Sequence, residues 1–103
     1  MDAQLFSDIG LGPRELSIYR ALLALGPSSI RTIADRSGIN RGTTYESLKQ
    51  MQVQGIVTYL PKGKRRIFTA REPEVLLDLA EERRKRLDSA VDELKKRLIP
   101  ELH

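Results

Sequence analysis

The chain has 103 residues, 40% of them apolar and 31% charged, with a net charge of +4. That bounds it to one folded domain, or a domain with an appendage, and to a modest core. It holds no cysteine and its single histidine is His103. Disulfides, thiol chemistry and cysteine-held metals are therefore excluded, and no histidine cluster exists for zinc or general-base work. No apolar run approaches the length of a membrane span, and no secretory signal is visible.

In chain order, residues 2–9 predict a short helix with Leu5, Phe6 and Ile9 as an apolar edge, broken by Gly10-Leu11-Gly12. Pro13 suits a first helical turn and Glu15 its positive end. Leu16, Tyr19, Leu22 and Leu23 recur at helical spacing, joined by Ile18 and Leu25. A helix is expected over 13–25, ended by Gly26-Pro27. Ser28 or Ser29 caps the next helix, near 29–37, which buries Ile30, Ile33 and Ala34. Gly38 favours the left-handed backbone that stops it. Asn40 is a good N-cap for a third helix running to about Gln54, with Gly55 as its stop. Ile39, Leu48, Met51 and Ile56 supply a buried seam, and Ala34 lets two helices cross closely. A helix, a short turn and a second helix make a helix-turn-helix, whose second helix can be offered to the DNA major groove.

Beyond Gly55 the period changes. Ile56-Val57-Thr58-Tyr59-Leu60 and Ile67-Phe68-Thr69 predict two strands, joined by a basic tip at Pro61-Lys62-Gly63-Lys64. The fold class is thus mainly α with some β, a winged helix-turn-helix over residues 1–71. Glu72-Pro73-Glu74 starts a last helix that continues to about Ile99, where Pro100 is expected to stop it. Leu77, Ala80, Arg84, Leu87, Val91, Leu94 and Leu98 alternate in spacing by three and four, a heptad seam interrupted only by Arg84. At ~1.5 Å per residue this helix is roughly 40 Å long, more than so small a domain covers. Residues 72–103 are therefore expected to form a coiled-coil dimerisation helix that pairs with a second copy, parallel or antiparallel.

Charge is unevenly placed. Residues 1–40 balance, residues 41–71 carry seven basic groups against one acidic, and residues 72–103 carry seven against nine. A solvated face normally mixes signs, so the middle segment points to a polyanion, double-stranded DNA. Centring the third helix on Leu48 puts Thr44, Tyr45, Met51 and Gln52 near the buried side and Gly42, Thr43, Glu46 and Gln50 opposite, with Ser47 and Lys49 flanking. The expected DNA contacts on this helix are Asn40, Arg41, Gly42, Thr43, Thr44, Ser47, Lys49 and Gln50. Thr43, Ser47 and Gln50 would lie nearest the bases, and Arg41 would reach a guanine or a phosphate. Gly42 costs about 1 kcal/mol relative to alanine inside a helix, which close approach of a DNA backbone would explain. Tyr45 is expected to bury its ring and leave its hydroxyl at the rim. Glu46 repels phosphates, and would accept from a cytosine amino group or pair with Lys49 or Gln50. Lys62, Lys64, Arg65 and Arg66 surround Gly63 and would reach the neighbouring minor groove or its phosphates, being more than edge-strand protection needs. The run Arg83-Arg84-Lys85-Arg86 is flanked by Glu81, Glu82 and Asp88 and reads as neutralised through i,i+4 or cross-helix pairs.

From about Leu11 to Ala70 the sequence resembles the N-terminal domain of the TrmB-type transcriptional regulators, found mostly in archaea. The residues that carry the resemblance are Leu11-Gly12-Pro13-Arg14-Glu15-Leu16-Ser17-Ile18-Tyr19, Leu25-Gly26-Pro27, Ile33-Ala34, Gly38-Ile39, Tyr45, Leu48, Met51, Gly55-Ile56-Val57 and Arg66-Ile67-Phe68. It implies a DNA-binding repressor or activator that dimerises through a helix after the wing. Many members carry a further sugar-binding domain, whereas this chain ends soon after the helix, so sugar sensing is not carried over. No acid–base pair, nucleophile with partner, metal set or phosphate loop is spelled out, so an enzyme is not expected. No cofactor is expected and any effector is left open. The leading expectation is a cytoplasmic, nucleoid-associated, dimeric and sequence-specific DNA-binding regulator. An architectural DNA protein of low specificity and a winged-helix protein-interaction module are the alternatives.

Overall fold

A computed structural model describes residues 3–102; the expected helix start at residue 2, and His103, lie outside the described residues. The elements run α1 (Ala3–Asp8), α2 (Pro13–Leu25), β1 (Ser28–Ser29), α3 (Ile30–Ser37), α4 (Arg41–Val53), β2 (Val57–Lys62), β3 (Arg65–Ala70) and α5 (Glu74–Leu102). This is a winged helix-turn-helix, mainly α, with a long C-terminal helix. Pro13 opens α2 as expected, and that helix buries Leu16, Ile18, Tyr19, Ala21 and Leu22. Leu23 and Leu5, expected on apolar faces, are exposed instead. Among the described residues of the first segment, Phe6 and Ile9 pack against the core.

The two helix-turn-helix junctions are held by local hydrogen bonds. Ser29 caps α3 by accepting from the Thr32 amide at 3.4 Å, and the Asn40 carboxamide caps α4 by accepting from the Thr43 amide at 2.8 Å. Between them Gly38 adopts φ +74° and donates its amide to the Ala34 carbonyl at 2.9 Å. That left-handed conformation is one a side chain would strain.

The sheet has three antiparallel strands in the order β1-β3-β2, not the two of a simple hairpin. Ser28 pairs with Phe68 and Ser29 with Ile67, so the chain entering α3 is stitched to the wing. β2 and β3 pair from Val57–Ala70 out to Lys62–Arg65, leaving Gly63-Lys64 as a two-residue turn. Gly63 has φ +64° and no other residue type has positive φ, the pattern of a type II′ turn with glycine first. The strands are therefore longer than expected. Lys62, Arg65 and Arg66 lie in the ladder, and only Lys64 stands with Gly63 at the tip. Pro61 is tolerated within β2 because that strand is an edge.

Leu11, Ile18, Leu22, Ile33, Leu48, Met51, Ile56, Val57 and Phe68 form one core around Tyr19. The Tyr19 hydroxyl donates to the Arg71 carbonyl at 2.9 Å, pinning the end of the wing to α2. Val75 and Leu76 at the start of α5 are buried and Leu79 packs against the core, but residues 81–100 of that helix are exposed throughout. The helix leaves the domain, giving extents of 61 × 28 × 25 Å. Pro100 does not stop it, because the helix runs on to Leu102. Pro100 has no amide to donate and its ring crowds the carbonyl four residues earlier, so the last turn continues at a local cost.

Burial, and then the nearby Glu74 and Glu72 carboxylates, push the Tyr19 phenol above its usual 10.0. The unfolded chain therefore loses this proton first, and Tyr19 contributes stability below pH 10 that fades as pH rises through the folded-state value. In urea unfolding, the wild type should lose more stability between pH 8 and about pH 11 than Tyr19→Phe does. At pH 8 that variant should be about 1 kcal/mol less stable through loss of the hydrogen bond. Equal pH responses would show that Tyr19 carries no such linkage.

Candidate nucleic-acid interface

α4 buries Thr44, Ser47, Leu48 and Met51, the i, i+3, i+4, i+7 stripe of an amphipathic helix. The centre of that stripe lies on the Thr44–Ser47 side of Leu48, rotated away from Tyr45 and Gln52. Two expected DNA contacts are corrected by this. Thr44 is fully buried and donates its hydroxyl to the Ile39 carbonyl at 3.4 Å. Ser47, 6% exposed, faces the first turn of α2, sharing a shallow depression with Arg14 and Glu15. Short hydroxyl side chains accept such burial where their hydrogen bonds are met, and no buried side-chain polar atom among the described residues lacks a partner.

The opposite face carries exposed Gly42, Glu46, Lys49, Gln50 and Val53, with Asn40 and Arg41 exposed at the N-terminal end and Thr43 half-buried. Asn40 commits its carbonyl oxygen to the cap, which leaves its amide nitrogen for other partners. A Cβ on Gly42 would meet only the Asn40 oxygen, at 3.5 Å, so nothing inside the protein demands glycine there.

Tyr45 is not a core residue as expected. Its ring is half-buried at the seam between α4 and the wing. The Lys49 ammonium lies 5.3 Å from its centroid and the Arg66 guanidinium 5.9 Å, while Arg66 is also 5.5 Å from the Tyr59 ring. Arg66 Nη1 donates to the Tyr45 hydroxyl at 3.4 Å, and Tyr59 packs on Phe68 with centroids 5.7 Å apart. The outward helix and the hairpin are thus joined through one guanidinium between two rings, an arrangement that cation–π attraction favours.

Beside that junction a cleft of about 420 Å³ is lined by Ser29, Ile30, Arg31, Tyr45, Lys64, Arg65 and Arg66. Arg31 had no signal of its own in the sequence. It arrives here because β1 pairs with β3 two residues earlier, a contact that the dipeptide Ser28-Ser29 does not announce. Among the described residues the ion pairs are Arg71–Glu72 at 3.6 Å, Arg97–Glu93 at 2.8 Å and Arg84–Glu81. Arg31, Lys49, Lys62, Lys64, Arg65 and Arg66 therefore have no carboxylate partner, whereas in the basic run on α5 Arg84 has one. There the Arg84 hydrogen bond holds the Glu81 carboxyl below the usual carboxylate range, and the same bond raises Arg84. No group of acidic, histidine or cysteine side chains among the described residues could hold a metal ion, and no helix is long and apolar enough to cross a membrane.

Comparison with known proteins places this geometry. The sequence model of the family described as sugar-specific transcriptional regulator TrmB matches residues 5–74. Among solved structures, TrmBL2, described as an archaeal chromatin protein with a novel mode of DNA binding, superimposes with a TM-score of 0.84 at 25% identity. The match covers 97% of this chain and 38% of TrmBL2, so the chain spans well under half the length of that protein. A possible transcriptional regulator from Methanosarcina mazei is similar at a TM-score of 0.67 and 11% identity, covering 86% of this chain and 83% of its own. The homodimeric winged helix-turn-helix DNA-binding domain of a possible ArsR-family regulator from Mycobacterium bovis gives 0.57 and 22%, covering 87% and 81%. At those lower identities the two show the fold.

The junction makes a prediction of its own. Tyr45→Ala and Arg66→Ala should each lower unfolding stability by about 1 kcal/mol, as exposed cation–π contacts do. The double variant should fall short of the sum by roughly 0.5 kcal/mol or more. Strict additivity in thermal or urea unfolding would show that the wing and the helix are not coupled through this pair.

Proposed function

The chain belongs to the TrmB family of transcriptional regulators, and from that premise we propose that it works as a homodimer that binds double-stranded DNA sequence-specifically. The recognition helix α4 enters the major groove, with Thr43 and Gln50 toward the bases and Asn40, Arg41 and Lys49 toward bases or backbone. Gly42, in the first turn of α4, lets the DNA backbone come close, and no protein contact requires glycine there. Lys62, Lys64, Arg65 and Arg66 take the wing to the adjacent minor groove or its phosphates. One observation carries the reading: the exposed face of α4 and the cationic wing form a continuous surface, locked together by Tyr45 and Arg66, whose cations have no carboxylate partners.

Dimerisation falls to residues 72–103, with residues 1–71 as the DNA-binding unit. On α5, Leu77, Leu87, Val91, Leu94 and Leu98 are each 46–71% exposed at heptad spacing, joined in the seam by Ala80 and Arg84. A second copy buries that stripe as a coiled coil. Arg84 is already neutralised by Glu81, which softens the like-charge meeting a core arginine would otherwise bring. The M. bovis winged helix-turn-helix domain, which shares this fold, is described as homodimeric. The protein then acts in the cytoplasm, on the nucleoid.

A second reading has one observation in its favour, the likeness to TrmBL2, which is described as a chromatin protein. Competition binding across a salt series separates the two. A dimer that neutralises on the order of eight phosphates should lose affinity with roughly the seventh power of salt concentration. A duplex enriched from a random pool should bind at least ~10³-fold tighter than random duplex. Equal affinity for both replaces the regulator with an architectural protein, and no binding at low salt removes DNA from the account. Separately, the paired substitution Leu87→Asp with Leu94→Asp should leave a folded monomer in sedimentation. A variant that still sediments as a dimer places the contact elsewhere.

A further inference from the structure

We propose that the cleft between the first turn of α3 and the wing is a phosphodiester clamp, in which Arg31, Arg66 and the Tyr45 hydroxyl hold one backbone phosphate of the duplex beside each recognition helix. The inference rests on the DNA-binding reading and adds to it a site on α3 that recognition helix and wing do not supply.

The chemistry of the cleft selects an anion. Arg31 comes from α3, Lys64 and Arg66 from the wing, and no carboxylate lines the opening. The first turn of α3 adds the positive end of an eight-residue helix. Its capping serine accepts from the Thr32 amide and shares a hydrogen bond with the Thr32 hydroxyl, and the earlier amides of that turn have no acceptor within the helix. Tyr45 accepts from Arg66 through its oxygen, which leaves its own proton to donate. Arg66 is already oriented by two rings, so fixing it against a phosphate costs little side-chain entropy.

The shape selects a polymer over a free ion. At about 420 Å³, and open to solvent, the cleft is far larger than a phosphate ion and admits a sugar–phosphate chain crossing it. Its position agrees with this choice, because Tyr45 lies on the flank of α4 that faces the wing. A backbone leaving the groove occupied by α4 would pass between α3 and β3.

Methylphosphonate scanning of the enriched duplex tests the clamp by removing one phosphate charge at a time. The wild type should show one position per half-site at which neutralisation weakens binding roughly tenfold. Arg31→Ala should bind several-fold more weakly per half-site, show a reduced effect of neutralisation at that position alone, where Arg66 and Tyr45 still reach the phosphate, and keep its sensitivity elsewhere. Its salt exponent should fall by about 0.9 per lost phosphate, so roughly 1.8 for a dimer. Tyr45→Phe should weaken the same position without changing the salt exponent, since it removes a hydrogen bond and no charge. Arg31 is exposed and has no ion-pair partner, so its variant should melt as the wild type does. An Arg31→Ala protein with the wild-type scanning pattern and salt exponent overturns the clamp while leaving the regulator intact. A wild type that binds no duplex overturns both.

Discussion

Everything on the functional surface depends on how α4 is rotated about its own axis. Thr44, Ser47, Leu48 and Met51 are drawn inward because α2, α3 and the sheet close around one side of the helix. With that stripe fixed, Gly42, Glu46, Lys49, Gln50 and Val53 have no choice but to face outward. The rotation also sets Tyr45 at the helix–wing seam, where it meets Arg66. A helix turned by a single residue would bury Tyr45 and expose Ser47, and the wing would lose its anchor.

The cations divide into two populations by their surroundings. On α5 they sit among carboxylates at helical spacing, and Arg84 and Arg97 have found partners three and four residues away. Exposed pairs of that kind contribute little to stability but quench the local field. On the wing and around the α3 cleft the cations stand together without counter-charges. Self-repulsion there disfavours the folded state slightly, and it is relieved when a polyanion arrives. That relief is what the proposed DNA contact would draw on.

The same contrast applies to apolar surface. The core is small and nearly complete by the second turn of α5, where Val75, Leu76 and Leu79 end the domain's packing. Past that point the leucines continue at regular spacing without a covering surface. Fully burying such a side chain is worth about 1.5–3 kcal/mol, and these are about half exposed.

Much of this was legible in the residues themselves. Pro13, Gly38 and Asn40 mark local backbone states whose physics is confined to a few neighbours, so the boundaries of α2, α3 and α4 could be read directly, while Gly63 marked the turn but not how far the strands run toward it. The charge excess of residues 41–71 and the heptad seam are likewise properties of composition and spacing. What only the tertiary structure decided are the long-range pairings. Two serines became a strand because Ile67 and Phe68 happened to lie alongside them, and that contact carried Arg31 into the cleft. The burial of Ser47 and the partial exposure of Tyr45 followed from which neighbours α4 met, since period fixes the spacing of a helical stripe but not its angle against the rest of the fold.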